Sequence, residues 1–203
     1  MSLRRIATVF TLTGSLALPT LAAAQPALAE PGLERHGLFA GGGVFGGNIS
    51  CEGDNCGDFR EAGGANGQVG YLLGPRFGLL LDVWAMTSSQ NDISITYVAS
   101  TLSARLWVAP RLWVQAGLGS GHAEVRVSIF GARGDDVPVG EVAAGAELVR
   151  GPGWSLDLTA RIAQGTATSD NNNVTTGRAA GLGVTMTWYA RQPARRIGMM
   201  ASR

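Results

Sequence analysis

Three polar residues in one short segment have the right types for acyl-transfer chemistry. Ser120, His122 and Glu124 could act as nucleophile, general base and orienting carboxylate, and they occupy alternate positions. Such a relay needs contact between the reacting side chains at about 3 Å. Residues two apart along a strand are separated by roughly 6–7 Å, so this trio alone is poorly spaced for catalysis. We therefore expect His122 to be a surface histidine and the chain not to be an enzyme.

The only two cysteines, Cys51 and Cys56, lie in the short segment CEGDNC. The N-terminal 24 residues have the features of a secretory signal peptide, and an exported chain meets an oxidising compartment. This spacing therefore predicts a disulfide that closes a small loop. The alternative is a hard-cation site with Glu52, Asp54 and Asn55 as oxygen ligands, although nothing else in the sequence fixes its geometry. Two thiolates without a nearby histidine make a poor zinc site. We expect no metal and no cofactor.

Charged residues recur on one face of segments in which apolar and polar positions alternate. In Trp154–Gln164 and Pro138–Leu148, the charged positions share one parity, opposite a row of apolar residues. If the apolar face meets lipid, six ionisable side chains share a narrow interior: Asp82, Arg105, Glu141, Glu147, Asp157 and Arg161. Because buried charges require partners, we predict a salt-bridged and largely plugged lumen. The alternative is a charged constriction in a small pore.

The same period of two runs through the chain and predicts eight strands. Each strand has one apolar face and one face of small or polar residues, as in a transmembrane barrel. The predicted strands are Gly37–Ile49, Gly64–Leu73, Phe77–Ser88, Ile93–Val108, Leu112–Val127, Pro138–Leu148, Trp154–Gln164 and Gly177–Tyr189. Short turns that contain proline alternate with longer loops. We therefore predict an all-β fold, an eight-stranded antiparallel up-and-down transmembrane β-barrel.

Aromatic residues cluster near the three short turns, at 74–76, 109–111 and 150–153, each of which contains a proline and an arginine. We predict an aromatic belt at one membrane interface, formed by Phe77, Trp107, Trp113, Trp154, Trp188 and Tyr189. Both ends of the barrel segment lie on the same side as these turns. Short turns are typical of the periplasmic side and long loops of the extracellular side.

The N-terminus has the parts of a secretory signal peptide over residues 1–24: two arginines, an apolar stretch and a small-residue cleavage site, with an alternative after Ala29. Residues 25–36 then form a short periplasmic lead, 37–189 the barrel, and 190–203 an arginine-rich periplasmic tail that we expect to be disordered. No later segment is long and apolar enough for a transmembrane helix, which excludes a helical membrane protein. The net charge of +1 gives no reason to expect a nucleic-acid partner.

The chain resembles the small eight-stranded outer-membrane β-barrel proteins, which include the OmpA-like membrane domain and the outer membrane protein beta-barrel domain superfamily. The residues that carry the resemblance are the glycine-rich segment Gly37–Asn48, the proline-containing turns and the final pattern Gly183-x-x-Met186-x-Trp188. The last pattern is similar to the C-terminal signal that the barrel-assembly machinery reads. The resemblance implies a bacterial outer-membrane location after export, with membrane lipid and, during biogenesis, this machinery as partners.

These features favour a non-enzymatic outer-membrane barrel that acts in envelope integrity or in surface contact through its long extracellular loops. Three alternatives stay open. They are a narrow pore for small solutes, a lipid-modifying outer-membrane enzyme that uses His122, and a soluble exported lipocalin-like barrel that binds a hydrophobic ligand. The sequence identifies no surface ligand.

Overall fold

The computed structural model describes residues 35–52, 60–90, 93–127, 130–168 and 174–190. Within these ranges the regular elements are all strands: β1 (Gly37–Glu52), β2 (Arg60–Leu72), β3 (Phe77–Gln90), β4 (Ile93–Ala109), β5 (Leu112–Val127), β6 (Phe130–Arg133), β7 (Val137–Gly151), β8 (Trp154–Thr168) and β9 (Val174–Tyr189). None of the described residues belongs to a helix that is long and apolar enough to cross a membrane.

Eight of the strands close into a ring. Hydrogen-bonded neighbours follow the order β1-β2-β3-β4-β5-β7-β8-β9, and β9 pairs with β1 to complete the circle. All of these pairings are antiparallel. Closure gives each of the eight strands a partner on both sides, which satisfies the backbone groups that lipid cannot hydrogen-bond. The predicted eight-stranded up-and-down barrel is confirmed.

The structure differs from the prediction at the end of the barrel that carries the longer connections, which we name the loop end. The sequence predicts a loop over 129–137, but β6 forms there and pairs with Glu124–Val127 of β5. Strands β1 and β9 also extend further than predicted, to Glu52 and from Val174. The added residues are mostly polar or glycine, so the apolar alternation that marks a strand in the sequence is missing where the ladder continues.

The opposite end, which we name the turn end, has short connections that are bonded to the neighbouring strands. The carbonyl oxygens of Arg76 and Arg111 accept hydrogen bonds from the backbone N–H groups of Trp107 and Glu147, both at 2.8 Å. Gly153 has a φ of 100°, in the left-handed region that favours glycine. These bonds bring the ends of β3, β4, β5 and β7 together at one mouth of the lumen.

The outer wall of the barrel carries large apolar side chains. Leu118, Val44 and Leu102 are 76%, 68% and 62% exposed, and many other leucines, valines and isoleucines share this wall. A soluble monomer rarely exposes a continuous apolar surface of this size, whereas a membrane barrel turns such a surface to lipid. The soluble lipocalin-like alternative is therefore wrong, because it needs the apolar face to line the interior.

Candidate functional site

The inward side chains fill the lumen in three layers. An apolar layer towards the loop end includes Phe45, Trp84, Met86, Tyr97 and Val139. A second apolar layer towards the turn end includes Phe39, Leu72, Leu80, Trp107 and Trp113. Polar side chains lie between the two layers, since Asp82 falls between Leu80 and Trp84 along β3. All six of the ionisable residues that the sequence assigns to the interior are buried.

Arg161 joins two carboxylates at the centre of the polar layer. Its Nη2 lies 2.7 Å from Oδ2 of Asp82, and its Nη1 lies 3.4 Å from Oε1 of Glu141. All three side chains are at most 1% exposed. Arg161 is on β8 and Asp82 is on β3, which are not neighbours in the ring, so their contact crosses the lumen. This ion pair therefore spans the middle of the lumen.

Uncharged side chains donate further hydrogen bonds to the carboxylate oxygens of Asp82 and Glu141. Gln115 Nε2 lies 3.1 Å from Asp82 Oδ2 and 3.2 Å from Glu141 Oε1, while the Thr101 hydroxyl donates to Glu141 Oε2 at 3.1 Å. Asn66 Nδ2 donates to Asp82 Oδ1 at 3.3 Å. Each of the four carboxylate oxygens thus has a protein donor, which is what makes two buried acids tolerable.

Arg105 is held mainly by neutral groups. Its Nε and Nη2 donate to Oε1 of Gln115 at 3.0 and 2.7 Å, and Nη2 also donates to Oε1 of Gln68 at 2.5 Å. The guanidinium carbon lies 4.0 Å from the centroid of the Trp113 ring, a cation–π arrangement. Because Gln115 also bonds Asp82 and Glu141, this one amide links the two buried arginines through a single network.

Glu147 closes the turn end of the lumen. Its carboxylate pairs with Arg35 and Arg150, and its Oε1 accepts a hydrogen bond from Trp107 Nε1 at 2.9 Å. Both arginines also donate to the carbonyl oxygen of Pro110, at 2.9 and 2.6 Å. Arg35 precedes β1 in the chain, and its side chain therefore connects the start of the first strand to Glu147 on β7.

Arg35 and Arg150 are absent from the predicted interior set. The charge balance of that set nevertheless indicates that further arginines are needed. The six predicted residues comprise four acids and two arginines, which leaves two negative charges uncompensated. Such an imbalance is costly in a desolvated lumen. The structure supplies two further arginines at the turn end, and Arg150 stands only three residues after Glu147.

The Glu147→Gln variant is expected to release Arg35, because an amide cannot bind two guanidinium groups as a carboxylate does. Trypsin, which cleaves after arginine, should then cut after Arg35 about tenfold faster in the folded barrel, as the loss of one charged hydrogen bond allows. The fragment is read by mass spectrometry. Glu61→Gln, an exposed residue of the outer wall, is the matched control. Equal cleavage rates in both variants would contradict this role of Glu147.

Asp157 has a weaker set of partners than the acids around Arg161. It is 1% exposed and faces Glu147 on β7 and Thr185 on β9 across the sheet. Within the described ranges Asp157 has no ion pair within 4.0 Å, and its Oδ1 accepts no hydrogen bond. The hydroxyl groups of Thr159 and Thr185 are likewise unbonded. The polar network is therefore weaker around Asp157 than around Arg161.

The predicted aromatic belt is wrong for three of its six members. Trp107 and Trp113 are 2% and 1% exposed and belong to the inner layer, and Tyr189 packs against the same layer. The cause is parity, since Trp107 is two residues from Arg105 and shares its inward face, whereas Tyr189 faces opposite to its neighbour Trp188. The members that lie on the outer wall are Phe77, Trp154 and Trp188.

The remaining candidates for chemistry lie at the loop end. The side chains of Cys51 and Cys56 are outside the described part of the structure, so their predicted disulfide stays a prediction. His122 lies with its Nδ1 3.2 Å from Oδ1 of Asp136. Glu124, which the sequence places beside it, forms an ion pair with Arg126 at 2.7 Å. These contacts describe a polar rim around the outside of the barrel.

Comparison with known proteins identifies the family. Residues 13–187 match the model of the outer membrane protein beta-barrel domain. Among curated protein sequences, none matches this chain. Among solved structures, the chain is similar to Neisserial surface protein A, at 12% identity and a TM-score of 0.62 over 75% of this chain and 97% of that one.

Two further solved barrels are similar at lower scores. Ail, the attachment invasion locus protein of Yersinia pestis, is 13% identical, with a TM-score of 0.47 over 74% of this chain and 99% of that chain. The N-terminal β-barrel domain of OprF from Pseudomonas aeruginosa is 14% identical, with a TM-score of 0.45 over 77% and 100%. The closed ring, the apolar outer wall and the match over most of the sequence agree: this chain belongs to the outer membrane protein beta-barrel domain family and is a protein of the bacterial outer membrane.

Proposed function

We propose that this protein is a non-enzymatic, non-conducting scaffold that displays its loop end at the cell surface for envelope integrity or surface contact. The observation that carries the proposal is the filled lumen. Eight strands leave an interior that side chains can fill completely. Here Arg161 crosses it to reach Asp82, and apolar layers lie on both sides of that contact. A solute would have to displace buried charges and aromatic rings together.

The length of the strands supports display of the loop end. A tilted strand needs about 9–11 residues to cross the hydrocarbon core, and β5 has 16. The outward residues near this end are polar and pair across strands: Thr87 with Thr96 at 3.0 Å, and Ser89 with Ser94 at 3.3 Å. Because such side chains gain nothing in lipid, they favour a barrel that continues beyond the membrane as a hydrogen-bonded collar.

Planar-bilayer recording tests the proposal. The purified wild-type barrel should insert without producing conductance steps, because the Arg161 centre and both apolar layers would have to open for an ion to pass. Insertion is verified separately by the slower migration of the unfolded chain after boiling on an SDS gel. Conductance steps that change in the variants Arg105→Ala or Glu141→Ala would contradict a closed scaffold and support a pore.

The narrow pore is the second candidate, and unbonded polar atoms in the lumen favour it. They include Asp157 Oδ1 and Nη1 of Arg105. Measurements of dye entry and of solute uptake in cells that lack the protein distinguish the two functions. Loss of a scaffold should increase entry of a dye that the outer membrane excludes, whereas loss of a pore should slow the uptake of small polar solutes.

A further inference from the structure

A groove runs across the outer wall on one side of the barrel. It has a volume of about 560 Å³, and we name it the outer groove. Its floor is formed by four alanines on adjacent strands of the ring: Ala104, Ala116, Ala144 and Ala160. Larger side chains stand along it, including Phe77, Leu106, Val114 and Ile162. A volume of this size is within the usual range for a bound small molecule.

Strand register explains why a groove forms here. Ala104 is directly opposite Ala116, and Ala144 is directly opposite Ala160, so methyl groups lie side by side across neighbouring strands. Cross-strand partners have Cβ atoms about 4.5–5.5 Å apart, which leaves little between them above the backbone. The next outward pair towards the turn end, Leu106 and Val114, is taller. The groove is therefore built by the backbone pairing and does not depend on one flexible side chain.

A positive charge lies at the turn end of this groove. Arg76 is exposed and immediately precedes Phe77, whose side chain lines the groove. The described connection 73–76, which holds Arg76, contains no acidic residue. Glu147, an acid of the turn end, is buried between Arg35 and Arg150. Arg76 thus stands at the level where lipid headgroups lie.

We propose that the outer groove binds one anionic glycerophospholipid from the membrane leaflet at the turn end. One acyl chain lies along the four alanines, and the phosphate is held by Arg76. Inside a membrane the groove gains nothing from the hydrophobic effect, since lipid tails are as apolar as leucine. The groove therefore distinguishes the bound lipid from the surrounding lipids by its shape and by charge, as other basic lipid sites do.

A second copy of the chain fits this surface less well than a lipid does. In the membrane, a symmetric dimer through the groove would bring Arg76 of both copies to the same edge of the interface. Like charges that meet in this way oppose association. An anionic headgroup removes the repulsion and leaves the alanine floor to the acyl chain.

Native mass spectrometry of the detergent-purified barrel tests the proposal, with phosphatidylglycerol and phosphatidylcholine of identical acyl chains as probes. The wild type should retain one phosphatidylglycerol at about fivefold or greater preference, and Arg76→Gln should lower its retention by about fivefold. A double variant with the groove filled, Ala116→Leu with Ala144→Leu, should lose the adduct. Ala65→Leu, the same change on the outer wall of β2, should keep it.

The heat-dependent gel shift shows for each variant that the barrel has folded. Equal retention of the two lipids, unchanged in Arg76→Gln, would overturn the proposal and indicate ordinary boundary lipid. Retention of the adduct by the filled variant would overturn the position of the acyl chain. A wild-type dimer without lipid, abolished by the same filling substitutions, would assign the groove to a second copy.

Discussion

Replacement of Arg161 by methionine is expected to lower the free energy of unfolding of the barrel by about 3–5 kcal/mol. Methionine is unbranched and of similar length, so it removes the charge while keeping much of the packing. The loss arises because Asp82 and Glu141, both fully buried, would lose the cation that they share. No solvent reaches them to compensate, and an unpaired buried charge costs far more than an exposed one.

Equilibrium unfolding in urea, with the barrel refolded in detergent micelles, measures this effect. Arg126→Met is the matched control, because Arg126 pairs with Glu124 at a similar distance of 2.7 Å but is 67% exposed. Water screens an exposed pair so strongly that it contributes little to stability, and the control should be nearly neutral. Both variants replace arginine by methionine. The difference between their losses in free energy of unfolding therefore measures the effect of removing water from around the charges in the lumen.

A second set of substitutions distinguishes lost charge from lost packing. Asp82→Asn with Glu141→Gln, introduced into Arg161→Met, should recover part of the stability, because the neutral amides still bond Gln115 and Thr101. If Arg161→Met instead costs no more than Arg126→Met, water must already screen the pair. That outcome would contradict the closed scaffold and favour the pore.

Strand faces could be predicted because two environments impose a period of two on each strand. In β8, the positions Asp157, Thr159 and Arg161 are polar and buried, while Leu158 and Ile162 are apolar and exposed. The lipid in contact with one face and the polar lumen on the other leave a pattern that needs no tertiary information. The interior position of the six charged residues in the predicted set follows from that pattern.

The aromatic residues at the turn end lie on both faces of the barrel wall, so their clustering along the chain does not reveal which face each one occupies. Trp188 meets the outside, whereas Trp113 lies one layer inside and stacks on Arg105. Clustering along the chain suggests one belt, but parity separates the residues into a lumen layer and an outer group. Trp107 is two positions from Arg105, so a consistent use of alternation would have placed both inside.

Contacts across the lumen could not be predicted from strand patterns. Asp82 and Arg161 lie on strands that are not neighbours, and their meeting depends on the stagger of the whole ring. Arg35 is a similar case, since it lies just before β1 and yet contacts Glu147 on β7, a strand that is not a neighbour of β1. Strand β6 has no strand signal in the sequence, because its four residues lack the apolar alternation of a membrane strand.

Glycine positions give the second large expected effect, at a point where two strands approach closely. A Cβ atom added at Gly119 of β5 would lie 1.8 Å from the carbonyl oxygen of Ser100 and 2.7 Å from the Cα of Thr101. Both are backbone atoms of β4, which cannot rotate away as a side chain could. Gly119→Ala should therefore push β4 from β5 and lower the free energy of unfolding by about 1–3 kcal/mol.

The same substitution should have the opposite sign at Gly67 of β2. A Cβ atom there would meet nothing within 4 Å, and alanine costs less backbone entropy than glycine, so Gly67→Ala should stabilise the barrel by about 0.5–1 kcal/mol. Urea midpoints at equal slope compare the two variants directly. If both variants change the free energy of unfolding in the same direction, the strand propensity of alanine over glycine determines the effect at both positions. Opposite signs would mean that the ring closes through a backbone contact at β4–β5 which only glycine permits, so that this position constrains the shape of the whole barrel.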